Sequence, residues 1–307
     1  MSKKVTVIGA GNVGAETARR LAEKNLADIV LLDIVEGIPQ GKALDMLQAG
    51  PVAGYNSKVI GTNDYADTKD SDVVVITAGL ARKPGMSRDD LLHKNAAIIK
   101  GIVEQIKQTS PQAILLIVTN PLDTMSYLAW KVSGFPAERV IGMAPLLDAA
   151  RMAAFIALEL NVPMTSVKAT VLGTHGDLMV PVPSQTTVNG KSISELLSKE
   201  KVEAIVQRTA NGGAEIVNLL KTGSAYYAPS AAAAYMAEAI LSNKQETILS
   251  SVLATGQYGL KDLYIGLPAK LGKNGVEEIV EIALTSEEKA ALQVSAKSIH
   301  ENNLKLS

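Results

Sequence analysis

Through the first 145 residues, short aliphatic runs alternate with longer stretches whose apolar positions recur at helical spacing. Val5–Ile8, Ile29–Leu32, Lys58–Gly61, Val73–Thr77, Ile114–Val118 and Val140–Gly142 are mostly β-branched or aliphatic, as strands buried on both faces of a parallel sheet require. Asn12–Lys24 and Leu91–Thr109 are helical candidates between them. Strand and helix in turn predict a doubly wound, parallel-sheet α/β domain. After Gly142 the pattern changes. A helix is predicted over Leu147–Leu160, a strand over Val167–Leu172, helices over Glu203–Leu220 and Pro229–Leu241, strands over Ser250–Ala254 and Tyr264–Leu267, and a last helix over Ser286–Asn302. Asn189-Gly190, between apolar runs, signals a tight hairpin. This second, α+β domain is expected to begin near Met143–Leu146 without a flexible linker, dividing the chain into residues 1–145 and 146–307. No internal repeat is visible, and the run Ala231–Ala234 suits a helix.

The first strand leads directly into Gly9-Ala10-Gly11-Asn12-Val13-Gly14, a G-x-G-x-x-G pattern that opens a helix. Gly9 permits the tight turn, Gly11 lets a pyrophosphate approach the backbone, and Gly14 allows close helix–strand packing. The helix N-terminus offers free N–H groups to phosphates. Asp33 ends the second strand, 19 residues beyond Gly14, where a carboxylate accepts ribose hydroxyls and repels a 2′-phosphate. A glycine turn alone would say little. With strand, helix and acid in place, the six-strand unit reads as a Rossmann domain for NAD, although the motif alone also admits FAD.

Of three histidines, His93 falls in a helical segment and His300 among polar residues near the C-terminus, both ordinary settings. His175 lies in Gly173-Thr174-His175-Gly176-Asp177, just after an apolar strand, where small neighbours let a substrate approach the ring. Oxidising a secondary alcohol requires a group that accepts the hydroxyl proton near neutral pH, and imidazole does. It needs a partner to fix its tautomer. Asp148 is the candidate, three residues from Arg151 on one helix face. One of the two could hold the histidine while the other grips a carboxylate, or the two could simply pair with each other. Arg82 and Arg88 lie in the glycine- and proline-containing stretch Ala78–Arg88 after the fourth strand, either as carboxylate forks on a closing loop or as solvated charges.

Composition narrows the field. Hydrophobic residues make up 47% and charged residues 20%, a globular balance. Thirty basic against 31 acidic residues leave a net charge of -1, which suggests no nucleic-acid partner, and aromatics at 4% offer no base-stacking surface. The absence of cysteine excludes disulfides, thiolate metal sites and a cysteine nucleophile. The N-terminal apolar run is too short for a signal-peptide core, and no run of about 18 apolar residues follows, so a soluble, cytoplasmic protein without a membrane partner is expected.

These residues together resemble the lactate/malate dehydrogenase superfamily, specifically its lactate-dehydrogenase-like malate dehydrogenases, over essentially the whole chain. The resemblance is carried by Val7–Gly14, Leu31-Leu32-Asp33, Ala81–Arg88, Asn120-Pro121-Leu122-Asp123, Leu147–Arg151 and Gly173–Asp177. It implies NAD-dependent interconversion of malate and oxaloacetate with no metal. By it, His175 looks like the proton acceptor, Asp148 its orienting carboxylate, Arg151 the binder of the C1 carboxylate and Arg88 the group that polarises the carbonyl. Arg82 would bind the distal carboxylate, a loop position that takes glutamine in lactate enzymes. Asn120 is similar to a substrate-contacting asparagine, Val118-Thr119-Asn120 to the strand end beneath the nicotinamide, and Asn95 to a cofactor contact. A homodimer or homotetramer is implied. The chain departs from the family at Thr174, where a second glycine is common, at Pro145-Leu146, where Gly-Val is common, and at Ala153, where an arginine is common.

Competing readings are a lactate dehydrogenase, an NAD-dependent glycosidase, which would need a metal site, and a non-catalytic NAD sensor, which would have no use for a glycine-flanked histidine and three arginines.

Overall fold

β1 (Lys4–Ile8) pairs in parallel with β2 (Asp28–Leu32) on one side, and on its other side with a strand that comes later in the chain. That arrangement, seen in a computed structural model describing residues 2–80 and 87–306, places a topological switch at the carboxyl end of β1. Between β1 and β2 runs α1 (Asn12–Glu23), whose buried Thr17, Ala18, Leu21 and Ala22 recur at helical spacing. α2 (Ile38–Ala53) leads to β3 (Val59–Thr62), which pairs with β2. β4 (Val73–Ile76) is the strand beside β1. α3 (Arg88–Thr109), β5 (Ile114–Ile117), α4 (Leu122–Ser133) and β6 (Val140–Gly142) complete the order β3-β2-β1-β4-β5-β6. Every residue of β4 and β5 is buried, as helices on both faces demand. Each such side chain contributes about 1.5–3 kcal/mol by leaving water.

α5 (Ala144–Leu160) begins three residues earlier than the sequence predicts. Pro145 is the reason, since in a helix's first turn its missing N–H costs nothing and its φ is already helical. The strand predicted over Val167–Leu172 is in fact two strands: β7 (Val167–Lys168) and β8 (Val171–Gly173). The chain changes sheets between them, where Thr170 bonds through its N–H to Thr186 Oγ1 and through its hydroxyl to Gln185 O. β8 pairs with β9 (Met179–Pro181), while β7 joins β10 (Thr187–Val188) and β11 (Lys191–Ser192) in a small second sheet. Asn189-Gly190 turns the β10–β11 hairpin with φ of 49° and 82°, as the sequence predicts. The short α6 (Ile193–Leu196), then α7 (Lys199–Leu220) and α8 (Tyr227–Leu241), precede the long hairpin of β12 (Glu246–Thr255) and β13 (Lys261–Gly272). β14 (Gly275–Ile279) edges β13, and α9 (Ser286–Leu304) ends the described chain. β12 pairs with β6 through Ser251 and Gly142, so the sheet runs on from the first half into the second.

The sequence pattern leaves three helices unmarked: α2, α4 and the short α6. α2 carries Pro39, Gly41, Gly50 and Pro51, and it is apolar on both faces: Ala43 and Met46 are buried while Leu44, Leu47 and Val52 are exposed. No one-sided stripe exists to be read.

Candidate active site

The carboxyl ends of β1 and β4 frame the first cavity, about 770 Å3, lined by Gly11, Asn12, Asp33, Ile34, Tyr65 and Gly79 among others. Its floor is the glycine turn. Gly9 has φ of +102°, and a Cβ there would lie 2.7 Å from Ala78 N, so the turn both needs left-handed backbone and passes against β4. Thr77 Oγ1 donates to this strand end at Ile8 O and Gly9 O. No side chain caps the N-terminus of α1, which leaves its N–H groups to a ligand. Asp33 Oδ2 accepts from Ala10 N at 2.6 Å and Oδ1 from Val35 N at 3.0 Å, which fixes the carboxylate at the cavity wall. Lys42 Nζ donates to Ala10 O at 2.6 Å, so both sides of Ala10 are tethered. A glycine floor, an uncapped helix end and a fixed carboxylate fit the pyrophosphate and ribose of NAD.

The second cavity, about 410 Å3, shares Val13, Thr77, Gly79, Leu80 and Ser224 with the first and extends it into the second half of the chain. Val118, Thr119, Asn120, Arg151 and His175 line it. His175 Nδ1 lies 2.8 Å from Asp148 Oδ2, while Arg151 Nη1 donates to Asp148 Oδ1 at 3.1 Å. Asp148 is 1% exposed, so each of its oxygens is committed to one partner. Sequence spacing allows either an Asp–Arg pair or an Asp–His pair; the structure has both at once. A carboxylate accepts, so the imidazole proton sits on Nδ1, which leaves Nε2 able to accept a proton. Burial opposes the imidazolium, but the charge and hydrogen bond of Asp148 outweigh it. With Asp123 adding to them and Arg151 opposing, the His175 pKa stands above the ordinary 6.5.

Arg151 is 12% exposed, and its Nε has no hydrogen-bond partner among the described residues. α7 presents Gly212 and Gly213 to it, and a Cβ on Gly212 would lie 3.2 Å from Arg151 Cδ. A half-buried guanidinium with an unpaired Nε is able to bind an anion. Arg88 is placed otherwise. As the first residue of α3, behind the Ser87 capping box, it pairs with Asp177 Oδ2 at 2.7 Å, and both side chains are largely exposed. It stands beside the His175 turn but does not line the cavity. Arg82 lies outside the described residues. Asn95 is buried, with Oδ1 accepting from Leu80 N and Nδ2 donating to Leu80 O and Asn120 O. Its polar atoms shape the rim rather than face the cavity. His93 and His300 are both exposed.

Residues 3–142 match the NAD-binding domain of lactate/malate dehydrogenase, and residues 146–306 match its alpha/beta C-terminal domain. The chain belongs to the lactate/malate dehydrogenase family. A malate dehydrogenase of Chlorobium limicola is 57% identical over 300 residues, 97% of each chain. A solved malate dehydrogenase from Salinibacter ruber superposes with a TM-score of 0.95 at 50% identity, covering 99% of this chain and 97% of that one. A lactate dehydrogenase from Cryptosporidium parvum, solved with lactic acid and nicotinamide adenine dinucleotide, gives 0.96 at 43% identity, with 99% and 98% covered. Backbone shape therefore does not separate the two activities. NAD is the cofactor of this family's first domain, and the cavity described above fits it.

In the sequence, Asp123 stands out only within the pattern Asn120-Pro121-Leu122-Asp123. The structure buries it under the His175 turn, where Ser251, Thr174 and the His175 backbone all donate to it. Nothing in the sequence links Asp123 to Ser251, which is 128 residues away. No helix among the described residues is long and apolar enough to cross a membrane.

Proposed function

We propose that this chain is an NAD-dependent malate dehydrogenase that interconverts (S)-malate and oxaloacetate with His175 as proton acceptor and donor. The observation that carries this reading is the buried Asp148 carboxylate, shared between the His175 imidazole and the half-buried Arg151 guanidinium at the inner end of the NAD cavity. Arg151 holds the C1 carboxylate of malate and sets its C2 hydroxyl against Nε2 of His175. The hydroxyl proton passes to Nε2 as the carbon–oxygen double bond forms, and Asp148 stabilises the imidazolium. NAD, when bound, supplies the acceptor for the hydride that leaves C2. In the reverse direction His175 returns the proton to the carbonyl oxygen. Val118, Thr119 and Asn120 shape the wall between cofactor and substrate. Asn95 holds that wall, and Asp33 selects the 2′-hydroxyl of NAD. Arg88 polarises the carbonyl after exchanging Asp177 for substrate, and Arg82 neutralises the distal carboxylate.

The division into a cofactor unit (1–145) and a substrate unit (146–307) belongs to the same proposal, as does assembly into a homodimer or homotetramer. The outward apolar residues of α2, Leu44, Leu47 and Val52, support the assembly. The cysteine-free composition fits a cytoplasmic protein. The test is NADH oxidation with oxaloacetate or pyruvate as sole acceptor. A kcat/KM ratio well above one for oxaloacetate is expected, and a ratio favouring pyruvate would overturn the substrate reading.

A further inference from the structure

The His175 turn is anchored at more points than its contact with Asp148. Asp123 stands near the start of α4, 3% exposed, and receives three hydrogen bonds. Ser251 Oγ donates to Oδ1 at 2.6 Å, Thr174 Oγ1 to Oδ2 at 2.8 Å and the His175 backbone N–H to Oδ2 at 3.0 Å. No cation pairs with it among the described residues. A buried carboxylate without a counter-ion is costly and is retained only where hydrogen bonds replace its water. Two of its three donors belong to the residues that carry the base. From α9, Ser295 Oγ accepts from Thr174 N at 2.7 Å, so Thr174 is tied through both its backbone and its side chain.

We infer that Thr174 and Asp123 are positioning residues for proton transfer: the Thr174 hydroxyl completes the donor set of the buried Asp123 carboxylate, and that carboxylate holds the His175 peptide so that Nδ1 meets Asp148 and Nε2 meets substrate. The inference rests on the reading of His175 as the proton acceptor. It goes beyond that reading by assigning work to a side chain where the family commonly has none. The groups that face the imidazole are Asp148 and Arg151 from α5 and Asp123 from α4, while Ser251 of β12 and Ser295 of α9 are neutral. Asp177 follows on the same turn, at the exposed mouth, paired with Arg88. Asp123 therefore has a second effect. Burial pushes its carboxyl above the ordinary carboxylate range while the bonds from Ser251, the His175 N–H and Thr174 pull it back, and in its ionised form it favours the imidazolium in the same sense as Asp148.

Comparing Thr174→Val with Thr174→Ser separates positioning from packing. Valine keeps the volume and deletes the hydroxyl; serine keeps the hydroxyl and deletes a methyl group. A hydrogen bond to a charged group is worth about 10- to 100-fold in an equilibrium, and misplacing a catalytic group by about 1 Å costs on the order of 100-fold. Thr174→Val is expected to lower kcat by about 10- to 100-fold, with NADH affinity and the KM for oxaloacetate nearly unchanged. Thr174→Ser is expected to restore most of the loss. Full turnover in Thr174→Val, or equal damage in Thr174→Ser and Thr174→Val, would overturn the inference. His175→Asn, assayed in parallel, tells the two failures apart. If it is inactive while Thr174→Val is fully active, only the positioning role is lost; if it is active, the reading of His175 itself fails.

Discussion

His175 and Asp148 are 27 residues apart in the chain, yet Nδ1 of one lies 2.8 Å from Oδ2 of the other, at the meeting of the β8 turn with α5. The contact fixes which imidazole nitrogen faces the cavity. Asp148→Asn keeps the size but presents an amide that can hold the ring in the wrong tautomer. A fall in kcat of about 100-fold or more is expected, with NADH binding retained. Steady-state rates paired with a fluorescence titration of NADH check this. An Asp148→Asn enzyme with near-normal kcat would mean the contact is only structural.

The same contact sets a pH dependence. His175 is held above 6.5, mainly by Asp148 working against burial. Malate oxidation needs neutral imidazole, so its kcat/KM is low below the His175 pKa and rises with pH through it. Oxaloacetate reduction needs imidazolium, so its kcat/KM is full below that pKa and is lost as pH rises through it. Profiles of log kcat/KM against pH in both directions should share one inflection above 6.5, and Asp148→Asn should lower it. An inflection below 6.5 in the native enzyme would contradict the assignment.

Two glycines of the cofactor turn should respond differently to alanine. A Cβ at Gly14 would lie 1.8 Å from Gly9 O, so Gly14→Ala must displace α1 from the turn and lower Tm. A Cβ at Gly11 meets nothing within 4 Å and would project into space at the cofactor cavity. Gly11→Ala should therefore melt like the native protein but bind NADH more weakly. Thermal melts beside NADH titrations decide this, and unchanged NADH affinity in Gly11→Ala would place the pyrophosphate elsewhere.

Much of this could be read from the chain, for identifiable reasons. β1, the glycine turn, α1 and Asp33 follow one another within 33 residues, and local order of that kind survives in sequence as period and spacing. His175 stood out because glycine flanks it. The split of Val167–Leu172 into β7 and β8 was not legible, because no turn residue separates Val167-Lys168 from Val171-Leu172 and the bonds to Thr186 and Gln185 decide where the chain changes sheet. The Asp123 site was hidden for a similar reason, its donors arriving from β12 and the His175 turn. The exposed Arg88–Asp177 pair is likewise a tertiary fact, where sequence had set Arg88 only against substrate.

The role proposed for Arg82 in substrate choice rests on chemistry, as Arg82 lies outside the described residues. Oxaloacetate brings a second carboxylate that pyruvate lacks, and a guanidinium can bind it through two parallel hydrogen bonds. Facing a methyl group, the same cation is left without a partner, which disfavours pyruvate. Losing one member of a buried ion pair costs roughly 3–5 kcal/mol, or about two to four decades of specificity. Arg82→Gln is expected to shift the kcat/KM ratio toward pyruvate on that scale, and an unchanged ratio would remove Arg82 from the substrate site.

The central claim is that His175 moves the proton at the inner end of the cofactor cavity, and one variant addresses it directly. His175→Asn keeps a polar side chain of similar reach, leaves the glycine turn and Asp33 untouched, and removes the titrating ring. Turnover of oxaloacetate with NADH should fall by about 100- to 10,000-fold while the Kd for NADH changes little. Turnover within about 10-fold of the native enzyme, with NADH still bound, would contradict the account.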